Sequence, residues 1–323
     1  MNVVAPAHPR HDQRGKAVVW ILVALLVLGG AFAVYWFVIR KSGGGGASAQ
    51  LATSVIPADA DMIGGADLGA LLASPQVADL MKKSGTNMDE VKAKLSEAGV
   101  KPEDLQSLVI AADVPDAGDP QMIFAVKMNG DTKAAQGAAV ALKAMLPPNI
   151  GDKVDLSHVE AFDGGLVMAG SGPFYDEAAK QARGQGASGK LAQPLLDVRD
   201  AVDTGAQVWF AMALPKGTTD ELPRQAKMLL GGGKPTHAAF SVSFGSSIEV
   251  KGALLLEGAD PGKVASQLDS MMGMASMALT GERAIIGDII KNLKIGSSGQ
   301  ALTFSLSLTE EQAKALQDKG GMF

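Results

Sequence analysis

The chain has 323 residues, 47% hydrophobic and 20% charged, a balance found in globular rather than disordered proteins, and its length accommodates one large domain or two of medium size. Five of the 29 basic residues (Arg10, Arg14, Lys16, Arg40, Lys41) and one of the 34 acidic ones (Asp12) precede Ser42, which leaves 24 bases against 33 acids, a net charge of −9, in the remainder. So acidic a body argues against nucleic acid as a partner, and the absence of cysteine excludes disulfides, thiolate metal sites, a catalytic thiol and a lipid-attachment cysteine.

Residues 1–16 form a short tail, and residues 17–39 follow as 23 consecutive uncharged positions, AVVWILVALLVLGGAFAVYWFVI. At 1.5 Å rise per residue a helix of that length covers the roughly 30 Å hydrocarbon core of a bilayer. Trp20 lies near one end and Tyr35 with Trp36 near the other, where amphipathic rings settle at the headgroups. The stretch therefore reads as a transmembrane signal-anchor helix. Ala47-Ser48-Ala49 has the A-x-A pattern of a signal-peptidase site, but the apolar run exceeds a signal h-region and the pattern lies beyond two bases and four glycines. An uncleaved anchor is expected, with the tail cytoplasmic and the long C-terminal part outside the inner membrane, periplasmic in a Gram-negative bacterium. Gly29 and Ala33 have the small-x-x-x-small spacing of close helix contacts, which an Ala-rich span also produces by chance.

Residues 40–55, opened by Ser42-Gly43-Gly44-Gly45-Gly46, read as a flexible linker. A first α/β unit over 56–183 begins with a strand at 62–68, helices at 71–83 and 88–98, and strands at 108–112 and 122–126. Asn129-Gly130-Asp131 then starts a helix over 133–145, Asp163-Gly164-Gly165 joins a hairpin of 158–162 with 166–169, and a helix at 175–183 closes the unit. Residues 184–189 form a Gly-rich connector. The second unit, 190–323, runs strand 208–214, helix 220–230, strands 239–244 and 248–256, helix 262–277, strands 294–295 and 301–308, and a last helix opened by Thr309-Glu310-Glu311. The shared succession, with matched strand-to-helix turns at Asp131 and Asp260, predicts an α+β fold made of a duplicated β-α-β-β-α-β-like, ferredoxin-like unit.

Pro57-Ala58-Asp59-Ala60 after the anchor, leading into a first strand that ends in Asp67-Leu68, resembles membrane-anchored bacterial proteins of unknown function. The match spans about a dozen residues and carries no catalytic motif, so it implies the architecture and no activity.

Chemistry has few footholds. Gly184-Gln185-Gly186-Ala187-Ser188-Gly189-Lys190-Leu191 matches part of a phosphate-binding loop, but Leu191 stands where Mg²⁺ needs Ser or Thr, and the segment leaves a helix rather than a strand. Asp59, Asp61, Gly64 and Asp67 fit four positions of a calcium loop, yet Ile63 and Ala70 occupy ligand positions, and a turn into a strand explains the acids. Met271, Met272, Met274 and Met277 form a methionine cluster whose spacing could bind Cu(I), though 271, 274 and 277 also describe one apolar helical stripe, the packing role expected of them. The histidines His8, His11, His158 and His237 have no zinc spacing, and no G-x-S-x-G elbow occurs. Acidic pairs such as Asp152 with Asp155, or Glu310 with Glu311, sit where they cap helices. No catalytic residue, cofactor or metal is expected. The sequence reads as a single-pass membrane protein presenting a binding or scaffolding domain to a protein or cell-envelope partner; the alternatives are a hydrolase with a scattered site and methionine-based metal handling.

Overall fold

The computed structural model describes residues 47–78, 88–97, 100–115, 120–130, 135–137, 158–185, 191–215, 222–278 and 284–313. The expected anchor at 17–39 and the helix expected over 133–145, apart from 135–137, lie outside them. No helix among the described residues is long and apolar enough to cross a membrane.

The elements in chain order are α1 (Ala47–Val55), β1 (Met62–Asp67), α2 (Leu68–Ala73), α3 (Met88–Glu97), a 3₁₀ turn (Pro102–Asp104), β2 (Leu105–Asp113), β3 (Gln121–Met128), β4 (His158–Phe162), β5 (Leu166–Gly170), α4 (Gly172–Ala182), α5 (Gln193–Asp200), β6 (Val208–Ala213), α6 (Arg224–Leu229), β7 (Lys234–Phe244), β8 (Ser247–Glu257), α7 (Pro261–Ala278), α8 (Ala284–Asn292), β9 (Lys294–Ser298) and β10 (Ala301–Thr309). Among the described residues ten strands join one antiparallel sheet in the order β4-β5-β3-β2-β1-β6-β7-β8-β10-β9. The α+β class is as expected. Read outward from the β1–β6 seam, one half runs β1-β2-β3-β5-β4 and the other β6-β7-β8-β10-β9. A ferredoxin-like unit would interleave its strands through crossovers, whereas here the first three strands of each half are sequential neighbours. The ferredoxin-like arrangement is therefore not what the sheet displays.

Local chemistry sets the boundaries. Asp67 ends β1 and caps α2, its Oδ1 accepting the Ala70 N–H at 2.7 Å. Gly164 and Gly165, both at φ near +75°, turn the β4–β5 hairpin, and a Cβ on Gly165 would stand 2.4 Å from the Met128 carbonyl oxygen. Asp260 caps α7 through the N–H groups of Gly262 and Lys263. Along α7 the residues Val264, Ala265, Leu268, Met271 and Met272 fall on one stripe at helical period, and that stripe faces the sheet.

The sheet buries both faces. On one, α1, α4 and α5 lay Ala52, Val55, Phe174, Tyr175, Leu195 and Val198 over Ile63, Val109, Ile123, Met168 and Trp209. On the other, α2 and α3 cover the first half, while α6, α7 and α8 cover Leu256, Leu302, Phe304 and Leu306 of the second. The linker reading of 40–55 is corrected here: residues 47–55 form α1, and its Ala52 and Val55 are part of the core. The polar and small residues that made the segment look like a tether, Ser48 and Ala52 among them, are those that fit a helix close against the sheet.

Candidate functional site

The seam between the halves is the most specific arrangement in the molecule. Small residues of β1 oppose large ones of β6: Gly64 pairs with Phe210 and Gly65 with Trp209. Trp209 is fully buried, its ring lies over Gly65, and its Nε1–H donates to Ser48 Oγ at 2.9 Å across 161 residues of chain. Phe210 stacks on Phe240 of β7 on the other face, with ring centroids 5.6 Å apart. One indole thus joins α1, β1 and β6, and with them the two halves of the sheet.

A second cluster lies on β4 and α4. Arg183 pairs with both carboxylate oxygens of Glu160 at 2.6 and 2.7 Å, and its guanidinium stands 5.3 Å from the centre of the Phe162 ring. His158 stacks on Tyr175 at 5.4 Å. Burial, and then the Glu160 charge, push the Tyr175 hydroxyl up to about 12, so it is a neutral phenol at any physiological pH. The arrangement is a helix-to-strand clamp: its cation is engaged by a carboxylate, and its phenol stays protonated, so no phenolate is present to serve as a base.

The rim at Met62 is acidic. Asp61 Oδ2 accepts the Val114 N–H at 3.0 Å, and burial followed by the charges of Asp59 and Asp61 raises the Asp113 carboxyl. His237 on β7 bonds through Nδ1 with Thr236 Oγ1 at 3.1 Å, and burial lowers its pKa against the opposing pull of Asp61 and Asp197. At the same rim an open depression of about 490 Å³ is lined by Leu256, Glu257, Gly258, Ala259, Asp260 and Gln300. The buried Ser241 Oγ accepts the Asp203 N–H, and the Asp203 carboxylate pairs with Lys251 at 3.2 Å at the surface. Ser107 Oγ and both amide atoms of Gln181 are buried without a hydrogen-bond partner.

The residues singled out in the sequence are dispersed. Met271 packs in the α6–α7 cluster, Met272 in the α7–α8 cluster, and Met274 is 62% exposed on the opposite side of α7; the Met277 side chain lies outside the described residues. Of the calcium-loop residues, Asp67 is occupied as a helix cap and Asp61 as a turn acceptor, while Gly64 lies inside β1. Among the described residues no three His, Asp or Glu side chains come together as a metal site. In the Gly-rich connector, Gly184 caps α4 in the left-handed region and Gln185 is exposed; 186–190 lie outside the described residues, and Leu191 is buried in the core. His158 and His237 are on opposite halves of the sheet, and His8, His11, Asp152 and Asp155 lie outside the described residues. Glu310 and Glu311 follow Thr309, which forms a reciprocal capping box with Gln312.

Sequence reading missed the Trp209–Ser48 seam altogether. A usable signal existed: Gly64-Gly65 within a strand marks a place where another group approaches closely, and a lone Trp in a body poor in aromatics is the natural filler. No protein-family model, curated protein or solved structure matches the chain.

Proposed function

We propose that the chain is a single-span membrane protein whose ten-stranded body is held outside the cytoplasm as a binding or scaffolding platform, without chemistry of its own. The observation that carries this reading is the docking of α1. The helix that starts directly after the glycines is locked by Ser48 and Ala52 into the centre of a continuous rigid sheet. An apolar run of spanning length is thereby coupled through a few residues to the middle of a broad body. Such coupling keeps the body within a short reach of the bilayer, which suits a platform. The equal outward strand order of the halves, with α1 ahead of β1 and α5 ahead of β6, supports an origin by duplication of one unit. An internal repeat of this kind offers a partner two related surfaces.

Photocrosslinking from intact membranes tests the proposal. Residues exposed on the sheet rims, substituted one at a time by a photoreactive side chain, are expected to capture a discrete protein or envelope component from a few adjacent positions. Uniform absence of adducts, together with turnover of ester, phosphoester or peptide substrates by the purified full chain, would contradict it.

A further inference from the structure

We infer that the body stands on the membrane by its Asp67 rim, the one carrying the Asp163–Gly165 turn and the Phe244–Ser247 turn, and presents its acidic Met62 rim outward. The inference rests on the proposed anchor at 17–39. Its warrant is the polarity and position of α1. Ser48, one residue from the start of α1, touches the Gly65–Trp209 pair, while the other end of α1 leads through Ile56–Asp61 to Met62 at the top of β1. The chain therefore arrives at the sheet from the Asp67 side, because α1 itself occupies the way to the Met62 rim.

Covalent reach favours the Asp67 rim. From Ile39 to Ala47 the chain takes eight Cα steps, which span at most about 28 Å however they are folded. Crossing the headgroup layer uses about 6 Å of that, leaving about 22 Å. On β8, Lys251 is in line with Gly65, Trp209 and Ser241. The Ser247 end of β8 lies four residues below that line, about 13 Å, and the Glu257 end lies six residues above it, about 20 Å. Seating the Asp67 rim on the headgroups leaves slack in the segment. Seating the Met62 rim there would take nearly all of its reach, with a reversal at Ala47 and a path around α1 in addition. Standing on the Asp67 rim turns Asp59, Asp61, Asp113, Glu257 and Asp260 toward the extracytoplasmic space.

The absence of native cysteine makes the test direct. Asp163→Cys and Ser298→Cys place a donor fluorophore on exposed positions of the two rims of the full chain, reconstituted in lipid nanodiscs with acceptor-labelled headgroups. Energy transfer is expected to be severalfold stronger from position 163 than from 298, and a long Gly/Ser insertion after Lys41 is expected to abolish the difference. Failure of the chain to copurify with the discs would overturn the anchor itself. Insertion with equal or reversed transfer, or a difference that survives the insertion, would overturn the orientation while leaving the anchor standing.

Discussion

Replacing Gly65 by alanine tests whether the seam is built as described. A Cβ at this position would stand 2.3 Å from Trp209 Nε1, 2.4 Å from Trp209 Cε2 and 2.5 Å from Ser48 Oγ. Two of these atoms belong to a rigid, fully buried indole, so neither can yield by a simple rotamer change. Overpacking of this kind costs about 1–3 kcal/mol. If the indole shifts, its N–H also loses Ser48, and an unsatisfied buried donor costs about 1–3 kcal/mol more. Together the substitution is expected to destabilise by about 2–6 kcal/mol, on the order of 10 °C in Tm for a body of this size. The assay is urea denaturation of the detergent-solubilised full chain followed by tryptophan fluorescence, with Trp20 and Trp36 changed to Phe so that Trp209 is the sole reporter. Trp209→Phe in the same background relieves the clash, and the double mutant cycle, followed for all four chains by far-UV circular dichroism because this substitution removes the fluorophore, is expected to show a coupling of about 1 kcal/mol or more. A Gly65→Ala chain within about 0.5 kcal/mol of its parent, the range of ordinary surface substitutions, would refute the packing described here.

Other substitutions separate packing from chemistry. Tyr175→Phe keeps the ring against His158 and removes a hydroxyl close to the Glu160 carboxylate, which is already paired with Arg183, so a loss of no more than about 1.5 kcal/mol is expected; a larger loss would show that the phenol is integral to the clamp. Met272→Ala is expected to cost about 2–5 kcal/mol and Met274→Ala less than about 0.5, because the first side chain is in the α7–α8 core and the second is in solvent. Stoichiometric Cu(I) binding lost on Met274→Leu would instead restore the metal reading. His237 is held below its ordinary 6.5 by burial. It is neutral in both states at higher pH, and as pH falls through 6.5 the unfolded chain takes up the proton first. Stability should therefore decline below that point until the depressed folded value is passed, and His237→Gln should flatten that part of the urea-midpoint profile.

Much of the fold was legible because it is written in local signals. Strands β2, β3, β7 and β8 announce themselves as apolar runs bounded by Gly, Pro and Asp turns, and Asp163-Gly164-Gly165 specifies its hairpin. The α7 stripe and the Asp260 cap placed that helix nearly to the residue. What escaped was determined at a distance. α1 has a small-residue composition that reads as linker until Trp209 supplies its partner. α5 and α8 were passed over because Leu195, Val198 and Ile290 acquire meaning only against strands remote in sequence. Sheet order was likewise out of reach: nothing in β1 or β6 alone says that they pair, although the Gly64-Gly65 and Trp209-Phe210 dipeptides are complementary once set side by side. On the site, the sequence set Met271, Met272, Met274 and Met277 on one helix, α7, but could not show that the first three diverge into separate clusters and solvent.

The central claim is that the sheet lies outside the cytoplasm, held by residues 17–39, and substituted-cysteine labelling in cells addresses it most directly. Ser298→Cys in the body and Gln13→Cys in the tail are each exposed to a membrane-impermeant maleimide, in cells with a permeabilised outer envelope and an intact inner membrane. The account predicts labelling of position 298 without lysis and of position 13 only after the inner membrane is broken. Labelling of position 13 in intact cells, with position 298 protected until lysis, would contradict it.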